Sequence, residues 1–373
     1  MMPHDRIATP LAAQSGRLCI GIALAAIFSA GTMATAFAGD AAGSTVTFAI
    51  GAPVLIDSTA PYASVPKAMK YWEKEGLHVN LQPTQGATAS MQLLLAGKAD
   101  ITNGGSSSFF QAAAKSPQIS VIALQAKNIW QIAVPENSSI KSIKELKGKT
   151  IGVQSFSSAS FLFGRAAVAA SGLDPDKDVK WLAVGVGSQA AQALRGGNVV
   201  AYATYDGPSG IVGSVLGTKL VNLPTPLDDV PGLLGYATTK KFLKEHPDLI
   251  VKFLKGTYEG AVFAAANPAA ALQIQWQAYP EQKPRNKTTA EAIKGALPGV
   301  ETRYVGGAAP GPAGLIGGIP MDAVQKSIDF MVKYGVIKKK LDASKVADLS
   351  LNKQANEFDI DAVKKAAENW KPN

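Results

Sequence analysis

Short apolar runs alternate with polar, glycine-punctuated stretches along this chain, and the alternation occurs twice in the same order. Residues 46–50 form an apolar run of strand length. A helical pattern follows to Glu75, Gly76-Leu77 ends it, and 78–82 reads as a second strand. In the other copy 150–153 is the strand, a helix runs to Ser171, Gly172-Leu173 ends it, and 179–184 is the second strand. What comes next also matches. Gly86-Ala87-Thr88-Ala89-Ser90 leads through a Leu-rich helical stretch to Gly97. Gly185-Val186-Gly187-Ser188-Gln189 leads through an Ala/Leu-rich one to Gly196. Each then enters a short strand, 99–103 or 199–204. The closing glycines sit where a helix C-cap needs positive φ.

A strand–helix–strand–helix–strand unit thus occurs twice. Parallel strands require helical crossovers, so each unit predicts a parallel-centred sheet covered by helices. The fold class is α/β, with two similar lobes. The polar break Pro135-Glu136-Asn137-Ser138-Ser139 and the turn-rich segment 223–232 divide the chain into 39–135 as the first part of lobe I, 136–231 as lobe II, and 232–373 as the return to lobe I. In that return 233–238 reads as a strand. Pro247 and Pro268 each stand in the first turn of a helix, and these helices are expected to cover the first lobe. Two crossings between lobes make a hinge. Residues 306–318 (GGAAPGPAGLIGG) read as a loop, either a lid near the cleft or a surface connection. Amphipathic helices are expected at 321–338 and 362–370.

The first 38 residues stand apart from this pattern. Arg6 and Arg17 precede an apolar run at 18–28, and Ala36-Phe37-Ala38 precedes Gly39. A basic start, a short apolar run and an A-x-A site are the layout of a cleaved secretory signal, here 1–38, which implies export. Its removal takes Cys19, the single cysteine, and with it any disulfide, CxxC centre or thiolate metal site. The formal charge of the whole chain is +9. The lysines are scattered or grouped as in Lys338-Lys339-Lys340, with no basic stripe interleaved with aromatics, so nucleic acid is not an expected partner. The positive balance mildly favours anionic solutes.

Catalytic patterns are mostly missing. His78 and His246, the histidines beyond the leader, fall in different elements, with no metal-ligand spacing to an acidic cluster, so no metal is expected. There is no G-x-S-x-G elbow and no G-x-x-x-x-G-K-[ST] phosphate loop. Residues 185–190 do read G-x-G-x-x-A, with Asp206 further on, which resembles a dinucleotide fingerprint. The unit does not open a lobe, its counterpart at Gly86 lacks the second glycine, and an exported protein meets little NAD. No cofactor is expected. The same geometry has a simpler use, because free N–H groups at a helix N-terminus bind an anion or a polar ligand group.

That use generalises. Sheets of this kind bind ligands beyond the carboxyl ends of their strands. In the first lobe the loops at those ends hold Thr59 and Tyr62, Gly86 and Ala87, and Ser106 and Ser107. In the second they hold Phe156, Ser157 and Ser158, then Gly185, then Tyr205 and Asp206. A Ser or Thr hydroxyl there serves equally as an ordinary N-cap, and each aromatic serves equally as core. Their convergence on one edge of two facing lobes makes them the candidate ligand residues.

At these residues the chain resembles the periplasmic substrate-binding proteins of nitrate/sulfonate/taurine-type ABC importers. The likeness spans nearly all of the chain beyond the leader. It is carried by Ala60-Pro61-Tyr62, by 74–79 (KEGLHV), by 95–100 (LAGKAD), by 142–153 (SIKELKGKTIGV), by 193–197 (ALRGG) and by His246-Pro247-Asp248. The resemblance implies a two-lobed periplasmic binding protein type II fold that closes on a small solute, a location in the periplasm, and delivery to an ABC permease in the inner membrane. It implies a monomer without catalysis. Relatives bind sulfonates, nitrate, aromatic acids or pyrimidines. This chain departs from the pattern at Tyr205-Asp206-Gly207-Pro208, where a glycine separates acid from proline, at Val200, where an Asp is usual, and in the 306–318 loop. The cysteine-rich motif of the pyrimidine-synthesising relatives is absent. Two other readings stay open: an exported enzyme on the same scaffold, with Asp57, Asp206 or His78 as base, and a sensory protein that presents its ligand to a receptor.

Overall fold

In a computed structural model the protein is described from residue 43 to 372; the leader expected at 1–38 lies outside the described residues. The apolar runs become strands in two sheets. The first gathers β1 (Ser44–Ile50), β2 (Leu77–Pro83), β3 (Ile101–Gly105) and β4 (Ile119–Leu124). The chain then crosses to form β5 (Trp130–Pro135), β6 (Thr150–Val153), β7 (Lys180–Ala183), β8 (Ala201–Tyr205) and β9 (Leu220–Asn222), and returns as β10 (Leu234–Thr239). The strand orders are β2-β1-β3-β10-β4 and β7-β6-β8-β5-β9. Within each sheet the first three strands are parallel, and the fourth is antiparallel and comes from the far side of a crossing.

The two orders are the same once corresponding strands are matched, so the duplicated unit seen in the sequence is a duplicated fold. The exchange of β5 and β10 shifts one expected boundary. Residues 130–135 are expected from the sequence in the first lobe, but Trp130 pairs with Tyr205 of β8 and Ala133 with Asn222 of β9, both in the second sheet. The crossing therefore lies at 125–129, and the polar break after Pro135 is a turn inside the second lobe.

Two further expectations are corrected. The helix expected to run to Glu75 is three short pieces, Asp57–Tyr62, Ser64–Ala68 and Tyr71–Lys74. Pro61 and Pro66 interrupt its hydrogen bonding, and Lys70 adopts a left-handed conformation at φ 55°. The loop expected from 306 starts later, because the helix Thr289–Ala308 continues through Gly306 and Gly307. The rest of that loop is pinned to the first lobe. Leu124 N–H donates to the Gly317 carbonyl at 2.8 Å, and Asn356 brackets Ile316 with bonds of 2.9 and 3.0 Å.

The C-terminal helices cover the first sheet, as their prolines suggested. Helix Pro247–Ala266 opens with Pro247 and buries Phe253. The Phe253 ring meets Phe48 of β1 edge-on at 4.9 Å and stacks on Trp72 at 5.9 Å. Aromatic pairs of this kind add about 0.5–1.5 kcal/mol each to the area they bury.

Candidate ligand site

The carboxyl ends of β2, β3, β6 and β8 lie at the gap between the lobes, and a helix begins after each. Ala87–Leu95 starts after Gly86, Ser106–Lys115 after Gly105, and Ala159–Ala170 after Ser158. Residues from all three starts, including Ala87, Gly105 and Ser158, line one cavity of about 30 Å³. A space of this size holds about one or two water molecules, so the lobes stand closed. The closure is tight at Gly105. A Cβ there would overlap the Ala159 methyl and stand 2.7 Å from the Phe163 ring and 3.0 Å from Trp130. Hydrogen bonds seal the rim: Ser155 Oγ and Ser157 Oγ each donate to the Gln85 carbonyl at 2.9 Å, and Thr88 N–H donates to the Ser157 carbonyl at 3.1 Å.

Side chains complete the walls. Trp130 stacks on Phe163 at 4.9 Å, meets Tyr205 edge-on at 5.5 Å, and donates its indole N–H to the Leu233 carbonyl at 2.8 Å, which fixes its plane. Asn103 Oδ1 accepts from Gly51 N–H at 3.1 Å. Burial pushes the Tyr62 and Tyr205 phenols up, with Arg303 opposing this in both, so their hydroxyls are neutral and able to donate. Gln154 lines the cavity, and its Nε2 is buried without a hydrogen-bond partner. Burial without a partner costs about 1–3 kcal/mol, a cost that a bound acceptor would remove.

The one charged side chain of the lining is Arg303, on helix Thr289–Ala308. Its Nε donates to both carboxylate oxygens of Asp206 at 3.0 Å, and one terminal nitrogen, Nη2, donates to Oδ1 at 2.6 Å. The other, Nη1, has no hydrogen-bond partner among the described residues. The guanidinium also lies over the Tyr205 ring at 5.3 Å. Burial disfavours its charge, but the charge and hydrogen bonds of Asp206 more than reverse this, and its pKa lies above the ordinary arginine value. The pair joins the lobes, since Asp206 begins helix Asp206–Leu216 of the second. One turn from each partner the two helices touch through glycines. A Cβ on Gly210 would overlap the Cα of Gly299, so only bare backbone permits the approach. Beyond the pair, on the hinge side, an open groove of about 470 Å³ is bounded by Lys127, Asp206, Asp228 and Asp229, and it shares Ile129 and Trp130 with the cavity.

Two mixed α/β sheets joined by two crossings, with helix N-termini facing across the gap, agree with the comparisons. Residues 63–271, more than half the chain, match the family described as NMT1/THI5 like. The chain belongs to that family. This NMT1/THI5-like chain is 29% identical over 290 residues to a protein of Bacillus subtilis (strain 168) provisionally named an aliphatic sulfonates-binding protein, covering 77% of this chain and 81% of that one. Its fold is that of the alkanesulfonate-binding protein SsuA from Xanthomonas axonopodis pv. citri, solved bound to MOPS (TM-score 0.61, 13% identity, 82% of this chain and 98% of that one). It is also that of the periplasmic nitrate-binding protein NrtA from Synechocystis PCC 6803 (TM-score 0.62, 11% identity, 88% and 99%). The resemblance drawn from the sequence, and the two-lobed fold it implied, are borne out.

Within this NMT1/THI5-like fold the expected ligand residues separate. Tyr62, Ala87, Ser158 and Tyr205 line the cavity. Gly86 and Ser157 do not; they pack on each other across the rim, where a Gly86 Cβ would stand 2.8 Å from the Ser157 carbonyl oxygen. Thr59 is turned inward, its hydroxyl donating to the Ile56 carbonyl at 2.7 Å. Ser106 and Ser107 are buried in the first turn of their helix, their hydroxyls unpartnered, behind the lining. Phe156 is 56% exposed and packs outward on Phe161. Gly185 lies outside the lining, its carbonyl accepting from the Tyr202 hydroxyl at 2.8 Å. Asp206 holds Arg303 from behind and faces the hinge-side groove.

Sequence reasoning missed Asn103, Gln154, Ser160, Trp130 and Arg303, all of which line the cavity. For Arg303 a signal existed. Thr288 and Glu291 form a capping box, the Thr288 N–H donating to Glu291 Oε2 at 2.8 Å and the Glu291 N–H to Thr288 Oγ1 at 3.3 Å. That pattern marks a helix start 15 residues before the arginine.

Proposed function

We propose that this protein is the periplasmic solute-binding component of an ABC importer, capturing a small anion between its lobes and passing it unaltered to an inner-membrane permease. The observation that carries this reading is the convergence of hydrogen-bond donors on one cavity between the lobes. The starts of three helices, the Arg303 guanidinium and the unpartnered Gln154 amide all meet there, and no carboxylate is in the lining. Helix N-termini carry about half a positive charge each, and such a set is complementary to an anionic head group. The names of the relatives, sulfonate and nitrate binders, support the same class. The donors belong to both lobes, so an anion bound to all of them draws the lobes together. The present gap of about 30 Å³ holds about one or two waters, and the lobes must stand further apart than this to admit an anion of four or more heavy atoms.

The cavity is poorly equipped for chemistry. Its lining contains no His, Asp or Glu to act as a base. Ser158 Oγ is spent as an N-cap, accepting from Phe161 N–H at 3.3 Å and donating to the Ser155 carbonyl at 2.6 Å. Both facts favour a binder over an exported enzyme.

The test is calorimetry on the purified chain with nitrate, methanesulfonate, taurine and benzoate, alongside melting curves, since a ligand that binds only the folded state raises its melting point. At least one of these anions is expected to bind. Gln154→Leu should weaken it about ten-fold or more by removing a donor, while leaving the unliganded melting point unchanged or higher because an unpaired buried amide is gone. Absence of binding by every anion, or full affinity in Gln154→Leu, rejects the reading. Turnover of a bound compound would favour the enzyme.

A further inference from the structure

We propose that Asp206 sets the charge of the solute: by occupying two of the three nitrogens of Arg303 it leaves a site that accepts singly charged anions and rejects doubly charged ones. This rests on the reading of the cavity as an anion site and goes beyond it, because a donor-lined cavity alone does not discriminate between sulfonate and phosphonate, or nitrate and sulfate.

A free guanidinium presents a fork that grips a tetrahedral oxyanion with two parallel hydrogen bonds. Here the fork is taken up by Asp206, which is not itself part of the cavity lining. Nε and Nη2 are committed to Asp206 at 3.0 and 2.6 Å, and Nη1 alone remains for a ligand. The commitment is built in: Arg303 is 3% exposed and Asp206 14%, and the helices that carry them are brought together by the Gly210–Gly299 contact. The formal charges of the pair cancel. What remains to attract an anion is the near end of that pair, the partial charges of three helix starts, and neutral donors such as Gln154 Nε2.

The arithmetic of charge then decides. Desolvating an ion costs in proportion to the square of its charge, while its attraction to a fixed field grows only in proportion to the charge. A field reduced by a nearby carboxylate suffices for the first charge and falls short for the second. An anion on Nη1 sits about 6 Å from the Asp206 carboxylate, and at an effective dielectric constant of about 20 each of its charges loses about 100-fold in binding to that repulsion. The neighbouring groove has the same bias. The open groove on the hinge side carries Asp206, Asp228 and Asp229 against the single cation Lys127.

Methanesulfonate and methylphosphonate provide the probe pair, because they share a shape and differ in charge. Methylphosphonate carries one charge at about pH 6 and mostly two at about pH 9, as expected of a phosphoryl group with a second pKa between. The wild-type protein should bind methanesulfonate equally at both pH values and lose methylphosphonate as its second proton leaves. In Asp206→Asn the dianion should gain on the sulfonate by about ten-fold or more, and Asp206→Glu should retain the wild-type preference. Equal binding of the two at the higher pH by wild type, or an unchanged ratio in a folded Asp206→Asn, overturns the role of Asp206 while leaving the anion site standing. Failure of both probes and of nitrate to bind at either pH overturns the anion site and this inference together. Should Asp206→Asn not fold, equal binding of the two probes by wild type at the higher pH still overturns the inference.

Discussion

Gly210→Ala separates two effects that usually oppose each other in a helix. Gly210 lies inside helix Asp206–Leu216, where alanine is favoured over glycine by about 1 kcal/mol. Against this, the new Cβ would overlap the Cα of Gly299 and stand 3.3 Å from its carbonyl carbon and oxygen. Gly299 offers only backbone, so no side chain can swing aside, and the two helices must separate by about 1 Å to restore ordinary contact, at the cost of about 1–3 kcal/mol typical of overpacking. The helices belong to different lobes, so the clash acts on closure, whereas the propensity gain acts on the folding of the second lobe. Opening the lobes relieves the clash and keeps the gain. The expected outcome is a loss of about 5- to 150-fold in affinity for methanesulfonate by calorimetry, the equivalent of that cost. Small-angle scattering should show a larger average radius of gyration for the ligand-free variant, with its melting point within a few degrees of wild type. Wild-type affinity and radius in Gly210→Ala would refute the argument that glycine contact controls closure. A large fall in melting point with affinity preserved would refute the assignment of the clash to closure.

Two further perturbations follow from buried charge. Arg303→Met strands the Asp206 carboxylate in a mostly buried position, a loss of about 3–5 kcal/mol for a broken buried pair; it should lower the melting point by several degrees and abolish anion binding. Adding Asp206→Asn should recover much of the stability and none of the binding, and an unchanged melting point in the single variant would contradict the burial argument. Asp57 is the second case. Burial raises its pKa to about 6, offset only in part by the Trp276 indole N–H that donates to it at 2.9 Å, and burial likewise raises Glu259 to about 7. Both folded-state values lie above the unfolded ones, so the folded chain holds these protons more tightly. The stability they contribute is present below about pH 4 and is lost as pH rises through about 6 and 7. The melting point should therefore fall between about pH 5 and pH 7.5, by an amount equivalent to as much as about 3 kcal/mol from Asp57. Asp57→Asn, which keeps an acceptor for Trp276, should flatten that slope; a melting point that rises over this range, or a slope indifferent to the substitution, would contradict it.

Much of the cleft's frame is legible in the amino-acid sequence. The strands, their glycine-marked helix ends and the serine- and glycine-bearing loops beyond them are local features, fixed by periodicity and capping within a few residues. Hence the duplicated unit is visible in the chain, and the loops it marks bring Ala87, Ser158 and Tyr205 to the cavity lining. The same local logic fails where two local meanings coincide. Ser157 and Gly86 have the composition of ligand contacts, but they close the rim on each other. Phe156 has the composition of a pocket wall, but its exposed ring faces outward.

By itself, then, the chain determined its class, its two lobes and the positions of the helix starts, because these depend on neighbours in sequence. The tertiary structure decided the rest. The exchange of β5 and β10 between sheets is a choice among pairing partners that hydrogen-bonding strands do not announce locally. Helix Thr289–Ala308 contains Pro298 and four glycines, a composition that argues against a helix, and it packs against helix Asp206–Leu216 where two of those backbones meet without side chains. On that helix rides Arg303, 97 residues from the aspartate that holds it. No spacing in the sequence links them, because the contact exists only once both lobes have folded and closed.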